Sequence, residues 1–331
     1  MALLEVRDLR VSFATREGEV RAVNDVSLSL ERGRTLGLVG ESGSGKSVTS
    51  MTMLGLTRSP TTEIAGEVLL DGIDLLGLSD DELRSVRGRR IAMVFQDPLS
   101  SLHPMRRVGW QVSEAIRAHE NVGKKAARAR SVELLRSVGM PSPETRIDAY
   151  PHELSGGMRQ RVMIAMALAL GPELLIADEP TSALDVTVQA QILELLARLQ
   201  EERGMALILV SHDLGVIAEQ TDEVAVMYAG RIVEHGPGET IIGSPMHPYT
   251  RGLLNSIPHV DGPRTERLMP IPGSPPSAAN LPPGCAFHPR CAFARLSCEG
   301  EVPSLQSVES GHRIACPVVA QDPSLVSASS P

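Results

Sequence analysis

The feature that most constrains this sequence is a glycine-rich octapeptide, GESGSGKS, at residues 40–47. It follows the apolar run TLGLV, which is typical of a buried strand, and it leads into the helical stretch VTSMTMLGL. In this order, glycines let backbone N–H groups curl around phosphate oxygens, and the N-terminus of the helix adds a partial positive charge. The segment predicts a phosphate-binding loop in an α/β core. The alternative is a glycine-rich turn that carries a surface lysine.

The spacing of the octapeptide fits the pattern G-x-x-x-x-G-K-[ST], which predicts binding of a nucleoside triphosphate and Mg²⁺ and leaves kinases, GTPases, helicases and recombinases open. Lys46 is expected to reach the β and γ phosphates, and the Ser47 hydroxyl is expected to ligate Mg²⁺. The predicted ATP-binding residues of the loop are Gly40, Glu41, Ser42, Gly43, Ser44, Gly45, Lys46 and Ser47.

A pair of acidic residues, Asp178 and Glu179, follows the apolar run LLIA. Adjacent carboxylates at the end of a buried strand can divide the work of hydrolysis. Asp178 is expected to hold the water shell of Mg²⁺, and Glu179 is expected to orient the attacking water as a general base. The alternative is a solvated strand edge, which becomes improbable once Lys46 lies upstream.

Composition restricts the class of protein. The chain has 331 residues, of which 42% are hydrophobic, so it can bury a substantial core. Its net charge of -8 gives no general attraction to phosphate polymers, and this argues against a nucleic-acid partner. No run approaches the roughly 18 uncharged apolar residues of a membrane-spanning helix. The expected location is therefore cytoplasmic.

The strand and helix patterns predict how the chain is organised. Alternating apolar residues from Leu3 to Leu30 predict antiparallel strands, and a mostly helical insert is expected at about 97–171. Loops are expected toward the end, because 16 of the 24 prolines lie from Pro237 onward. The predicted domains are 1–243 and a loop-rich extension, 244–331, that ends in a disordered tail. Further strand-like segments are 91–96, 174–179, 206–212 and 223–236.

The octapeptide LSGGMRQR at residues 154–161 resembles the signature motif of the ABC ATPase family. The resemblance implies a P-loop NTPase ABC cassette, with a RecA-like core, an antiparallel β subdomain and a helical subdomain. It also implies that Ser155, Gly156 and Gly157 bind the γ-phosphate of ATP held by a partner cassette. The same residues can simply cap the helix that follows, and both interpretations can hold together.

Further residues match the family in order. Gln96 resembles the glutamine that senses Mg²⁺ and water and faces the membrane subunit, and His212 resembles the switch histidine at the γ-phosphate. Ser182, Ala183, Leu184 and Asp185 resemble the D-loop. By the same resemblance Phe13 stacks on adenine, although a core position on a strand is the alternative. One copy of each motif implies that the chain works as a dimer, and a heterodimer is favoured over a homodimer.

Four cysteines fall within 32 residues, which is unusual clustering in a chain of this length. Structural disulfides are not expected in a cytoplasmic protein, so the cluster predicts a metal site. Gaps of five, six and seventeen residues favour a four-thiolate [4Fe-4S] cluster over Zn²⁺, and unliganded thiols are the remaining alternative. The predicted ligands are Cys285, Cys291, Cys298 and Cys316.

The segments HPYT, at residues 247–250, and PGCAFHPRC, at residues 283–291, resemble the C-terminal extension of oligopeptide and dipeptide permease ATPases. That resemblance implies peptide import at the cytoplasmic face of the membrane. The implied partners are a second ABC ATPase subunit, two transmembrane permease subunits and, indirectly, an extracytoplasmic peptide-binding protein. Nickel chelates, glutathione or opines are alternative substrates. A soluble ABC ATPase acting on nucleic acid or ribosomes is the alternative class, but such proteins usually carry two cassettes, a coiled coil or a basic surface.

Overall fold

The computed structural model describes residues 2–16, 18–182, 184–256, 271–309 and 311–327. These residues form two compact units. The first unit contains residues 31–34 and 77–210, and the second contains residues 2–30, 35–76 and 211–331 as far as they are described. The predicted helical insert, 97–171, lies inside the first unit. The predicted boundary at residue 243 falls inside the second unit and stays a prediction.

The strands are β1 (Ala2–Thr15), β2 (Gly18–Glu31), β3 (Thr35–Val39), β4 (Thr62–Leu70), β5 (Ile73–Asp74), β6 (Ile91–Val94), β7 (Leu174–Asp178), β8 (Ala206–Ser211), β9 (Glu223–Tyr228), β10 (Arg231–Pro237), β11 (Gln306–Glu309) and β12 (His312–Ile314). The α-helices are α1 (Lys46–Met53), α2 (Asp80–Val86), α3 (Pro98–Ser101), α4 (Val108–Arg117), α5 (Lys124–Ser137), α6 (Pro143–Arg146), α7 (Gly156–Ala167), α8 (Val186–Arg203), α9 (Leu214–Ala218), α10 (Gly238–Gly243), α11 (Pro248–Asn255), α12 (Pro317–Gln321) and α13 (Ser324–Ser327). Single turns of 3-10 helix occur at Pro151–Glu153, His288–Arg290 and Leu296–Glu299.

An antiparallel sheet in the second unit has the strand order β2, β1, β4, β5. In β1 the apolar side chains alternate with polar ones, so that Leu4 and Val6 are buried and pair with Leu70 and Val68 of β4. A bulge between Arg7 and Arg10 interrupts the register. The sheet confirms the antiparallel strands that the alternation of apolar residues predicted and the antiparallel β subdomain that the resemblance implied.

The second unit also pairs β3 in parallel with β9, and β9 in antiparallel fashion with β10. The strand-like segment 223–236 is therefore a hairpin, with Ala229 and Gly230 at its turn at φ angles of 47° and 81°. The C-terminal extension adds β12 to β10 and β11 to β12. The sequence did not predict these two strands, because strands of three and four residues are too short to show a period.

The first unit contains the parallel strands β6, β7 and β8, in register through the pairs Ile91 with Leu174 and Ile176 with Ile208. Every residue of these strands is buried. Buried parallel strands are expected to be continuous apolar runs, and these are apolar up to their last residues, Asp178 in β7 and Ser211 in β8. Helices α4, α5 and α7 pack against one another as the helical subdomain. Across the described ranges, no helix is long and apolar enough to cross a membrane.

A small apolar core stabilises the end of the second unit. Ile314, Val319 and Val326 are buried together, and Phe293 and Cys316 pack against them. The last eleven residues, 321–331, which the sequence predicts to be a disordered tail, therefore contain the one-turn helix α13, Ser324–Ser327. Residues 328–331 lie outside the described residues.

Candidate functional site

The glycine-rich loop lies between β3 and α1, as the sequence predicted, and its glycines are fixed by close packing. A Cβ atom on Gly40 would lie 2.1 Å from the carbonyl oxygen of Met227. A Cβ atom on Gly45 would lie 2.4 Å from the carbonyl oxygen of Ala22, and Gly45 has a φ of 106°. Because only glycine fits at both positions, the backbone of the loop is held tightly against its neighbours.

Lys46 is the first residue of α1 and is almost fully buried, at 4% exposure. Its ammonium turns back over the loop and donates hydrogen bonds to the carbonyl oxygens of Gly40, at 2.7 Å, and Glu41, at 3.0 Å. Phosphate oxygens would give this ammonium stronger partners than neutral carbonyl oxygens, because they carry negative charge. Ser47 is half-buried beside it, and Ser44 Oγ is buried without a hydrogen-bond partner among the described residues.

The remaining predicted ATP-site residues of the second unit lie at or near the surface. Ser42 and Gly43 are exposed in the loop. Phe13 lies on β1 opposite Thr62 and is only partly buried, so it is not a core residue of the kind that the alternative interpretation required. His212 is exposed immediately after β8. The predicted roles of Phe13 and His212 toward ATP stay predictions.

The predicted acid pair lies in the first unit at the end of β7. Asp178 is 5% exposed, and Glu179 follows at a φ of 44°, in the left-handed region that is uncommon for residues other than glycine. The Glu179 N–H donates to the carbonyl oxygen of Val210 at 2.9 Å. The Gln96 side-chain amide donates to Glu179 Oε2 at 2.8 Å. The structure thus brings together the predicted general base and the predicted Mg²⁺-sensing glutamine.

The LSGG segment forms the start of α7 in the first unit. Ser155 caps the helix by accepting a hydrogen bond from the Met158 N–H at 3.3 Å. A Cβ atom on Gly157 would lie 2.6 Å from Val188 Cγ1, so only glycine lets α7 approach α8 this closely. Ser155 and Gly156 are exposed at the N-terminus of this helix. The capping interpretation is therefore shown, and the phosphate-binding role stays a prediction.

The predicted D-loop precedes α8 and is tied to the acid pair. Ser182 Oγ donates to the carbonyl oxygen of Glu179 at 3.2 Å. The Asp185 carboxylate caps α8 by accepting a hydrogen bond from the Val188 N–H at 3.0 Å. Ala183 lies outside the described residues. The contribution of Asp185 to an ATP site stays a prediction.

The four cysteines all lie in the second unit, and none forms a disulfide. Burial, with smaller contributions from the thiols of Cys316, Cys285 and Cys298, raises the pKa of the Cys291 thiol to about 11. The Cys285 N–H donates to the carbonyl oxygen of Cys298 at 2.8 Å, so these two cysteines are neighbours. Within the described part of the chain, however, no group of three or more His, Cys, Asp or Glu side chains is positioned to hold a metal ion. The geometry does not itself support the predicted iron–sulfur site.

The sequence missed the contacts that the extension makes with the glycine-rich loop. Arg290 donates to the carboxylate of Glu41 at 2.7 Å, and the Glu41 N–H donates to the hydroxyl oxygen of Tyr249 at 2.7 Å. Both partners lie in the segments HPYT and HPRC, which the sequence analysis used only for their resemblance. A contact between residues 249 positions apart gives no signal in a single sequence.

Comparison with protein families gives two matches. Residues 23–182 match the family described as ABC transporter. Residues 233–298 match the family described as the C-terminal region of oligopeptide/dipeptide transporters.

Curated relatives match nearly the whole chain. The oligopeptide transport ATP-binding protein OppD of Bacillus subtilis is 53% identical over 303 residues, which are 91% of this chain and 85% of the relative. OppD of Salmonella typhimurium is 50% identical over 95% of this chain and 93% of its own length. A putative peptide import ATP-binding protein of Brucella abortus is 51% identical over 95% of this chain and 94% of its own length.

Solved structures match most of the described fold. A dimeric ATP-binding cassette in a post-hydrolysis state, bound to ADP and phosphate, is 29% identical and aligns with a TM-score of 0.63. The alignment covers 71% of this chain and 98% of that cassette. A component of an ABC transporter complex from Clostridium perfringens also aligns with a TM-score of 0.63, at 28% identity over 73% of this chain and 91% of its own.

Proposed function

Because the chain belongs to the ABC transporter family of ATP-binding proteins, we propose that it is the ATP-hydrolysing subunit of an importer of di- or oligopeptides. The observation that carries this proposal is the 2.8 Å hydrogen bond from Gln96 to Glu179. The bond joins Glu179, whose carboxylate is suited to activate water, to Gln96. Gln96 directly follows Phe95, an exposed apolar residue. Hydrolysis and a partner docked at Phe95 can therefore influence each other.

The residues present have the chemistry that MgATP requires. Lys46 would contact the β and γ phosphates, and the hard oxygen donors of Ser47, Gln96 and Asp178 suit Mg²⁺. Bound Mg²⁺ would neutralise charge on the phosphates. Glu179 would accept a proton from the attacking water, and its bond to Gln96 would orient it for that step. The remaining proposed contacts are Phe13 with adenine, His212 with the γ-phosphate, and Ser155, Gly156, Gly157 and Asp185 with ATP held by a second cassette.

Four large apolar side chains within residues 95–110 of the first unit are exposed, and we call this set the coupling surface. They are Phe95, Leu99, Met105 and Trp110, with exposures of 41%, 63%, 77% and 46%. Four exposed large apolar side chains so close in sequence are consistent with a site of protein interaction. Gln96 follows directly after Phe95, so a partner bound here would lie next to the residue that contacts Glu179. We propose that the transmembrane permease subunits dock on this surface.

The proposed assembly contains this chain, a second and similar ABC ATPase subunit, and two permease subunits. A heterodimer of cassettes is proposed in preference to a homodimer. The assembly would lie at the cytoplasmic face of the membrane and receive peptide from an extracytoplasmic binding protein.

A charge on the coupling surface is expected to prevent assembly with the permease. Leu99→Glu and Met105→Glu, at positions that are 63% and 77% exposed, should leave the fold and ATP binding unchanged. Each variant should reduce co-purification of the permease subunits at least about tenfold, because a carboxylate would be buried at an apolar contact. The matched control is Ile73→Glu, an exposed apolar residue of the second unit.

Co-purification with tagged chain from membranes measures this effect. Permease recovery equal to that of the unmodified chain would show that the coupling surface is not the docking site. Recovery of nucleic acid or ribosomes in place of two membrane proteins would instead support the soluble class of ABC ATPase.

We also propose that the four cysteines hold a [4Fe-4S] cluster, with Zn²⁺ as the alternative. Support comes from their number, their spacing and the backbone hydrogen bond between Cys285 and Cys298. Chain purified without oxygen is expected to contain about four iron atoms and four acid-labile sulfides, as this cluster type requires. Cys285→Ser and Cys298→Ser should lose both. Stoichiometric zinc without iron, or absence of both metals, would reject the cluster.

A further inference from the structure

Glu41 occupies a position of the phosphate-binding loop that the motif leaves free, yet three contacts fix it within the second unit. Its carboxylate pairs with Arg290, its N–H donates to the Tyr249 hydroxyl, and its carbonyl oxygen accepts from Lys46. The peptide groups on both sides of its Cα are thereby held. The first turn of the loop is bonded to the lysine on one side and to the C-terminal extension on the other.

The contact between Glu41 and Arg290 is bidentate and nearly buried. Arg290 Nη1 lies 2.7 Å from Glu41 Oε2, and Nη2 lies 3.1 Å from Glu41 Oε1. The arginine side chain is 5% exposed and that of the glutamate 26%. This planar fork fixes orientation as well as distance, which a lysine could not do. The hydrogen bond to the Glu41 carboxylate raises the pKa of Arg290 above its usual range, so the arginine stays charged.

Arg290 is itself held firmly, so it can act as a fixed support for the loop. Its Nε donates to the carbonyl oxygen of Pro272 at 2.9 Å. Its guanidinium carbon lies 5.8 Å from the ring centre of Tyr228 and 5.9 Å from that of Phe287. The ring centres of Tyr228 and Tyr249 are 4.6 Å apart. Arg290, which lies over Tyr228, and Tyr249 therefore both contact Glu41 from the same aromatic cluster.

We infer that Arg290 and Tyr249 are positioning residues for ATP binding, which act by holding Glu41 so that the loop backbone and Lys46 face the phosphates. The inference rests on the ATP-binding role proposed above for the loop. It assigns a task at the nucleotide site to the C-terminal extension.

The test uses the full chain and compares ATP affinity with thermal stability. Arg290→Leu, Glu41→Gln and Tyr249→Phe are each expected to raise the Kd for MgATP about tenfold, because the loop must be ordered by the nucleotide itself. Arg290→Lys should raise Kd by less, because it keeps the charge and loses the fork. Arg295→Leu, an exposed arginine of the same extension, is the matched control and should not change Kd.

The double variant Glu41→Gln/Arg290→Leu separates positioning from mere stabilisation. Its Kd for MgATP should lie within about twofold of the Kd of whichever single variant binds ATP less tightly. The reason is that either change alone already removes the same contact between Glu41 and Arg290. Unchanged Kd values with a lowered thermal midpoint would overturn the inference and leave a structural role only. A double variant whose Kd rises about a hundredfold, the product of two tenfold increases, would show that Glu41 and Arg290 do not act through their mutual contact. If Arg290→Leu does not fold, Glu41→Gln and Tyr249→Phe give the same test. Failure of the unmodified chain to bind MgATP would instead reject the proposed function.

Discussion

Replacement of Glu179 by glutamine is expected to lower the rate of ATP hydrolysis about a thousandfold, within the range that a general base contributes. Glutamine has nearly the same shape as glutamate, so the backbone at φ 44° and the contact with Gln96 should persist. What is lost is the proton acceptor. ATP should bind with unchanged Kd, because the substitution removes an interaction that acts only in the transition state.

The matched control for this prediction is Glu194→Gln, an exposed glutamate on α8 in the same unit. It makes the same chemical change away from the acid pair and should keep full activity. Single-turnover hydrolysis and equilibrium ATP binding measure the two effects separately. Hydrolysis by Glu179→Gln within about tenfold of the unmodified rate would remove Glu179 from the role of base.

Replacement of Lys46 by alanine is expected to weaken ATP binding, in contrast to the replacement of Glu179, which leaves binding unchanged. The Kd for MgATP should rise about a hundredfold or more, because two charge-assisted hydrogen bonds to phosphate are lost. The fold should survive, since the hydrogen bonds that the Lys46 ammonium donates to Gly40 and Glu41 lie within the loop itself. The effect is therefore on nucleotide affinity and not on stability.

The matched control is Lys124→Ala, an exposed lysine at the start of α5. It removes the same charge and should leave the Kd unchanged. Titration with MgATP and a thermal unfolding curve for each variant give the measurement. A Kd for Lys46→Ala within about twofold of the unmodified chain would show that the loop does not bind the phosphates through this residue.

The two largest predictions rest on features that the sequence shows locally. The loop at residues 40–47 lies between β3 and α1, and Asp178 ends β7, because a buried strand, a glycine turn and a helix start each have a short-range signal. Ser155 was expected to cap a helix or to bind phosphate, and its side chain does cap α7. Signals of this kind need no knowledge of distant residues.

Features that depend on long-range contacts could not be predicted. The pairing of β12 with β10 joins segments about eighty positions apart, and β12 alone is too short to show a strand period. The contact between Gln96 and Glu179, like the positive φ of Glu179, arises only when β6 and β7 are in register. The same holds for Arg290 and Glu41, which the sequence separates by most of its length.

The most direct test of the central claim is ATP-driven peptide uptake. The chain is assembled with its second cassette and two permease subunits in proteoliposomes, and accumulation of a labelled oligopeptide is followed with MgATP and binding protein. Uptake is expected with the unmodified chain and with Glu194→Gln, and none with Glu179→Gln, although the complex with Glu179→Gln still binds ATP. Equal uptake with Glu179→Gln, or ATP hydrolysis by the unmodified complex without peptide uptake, would contradict the claim.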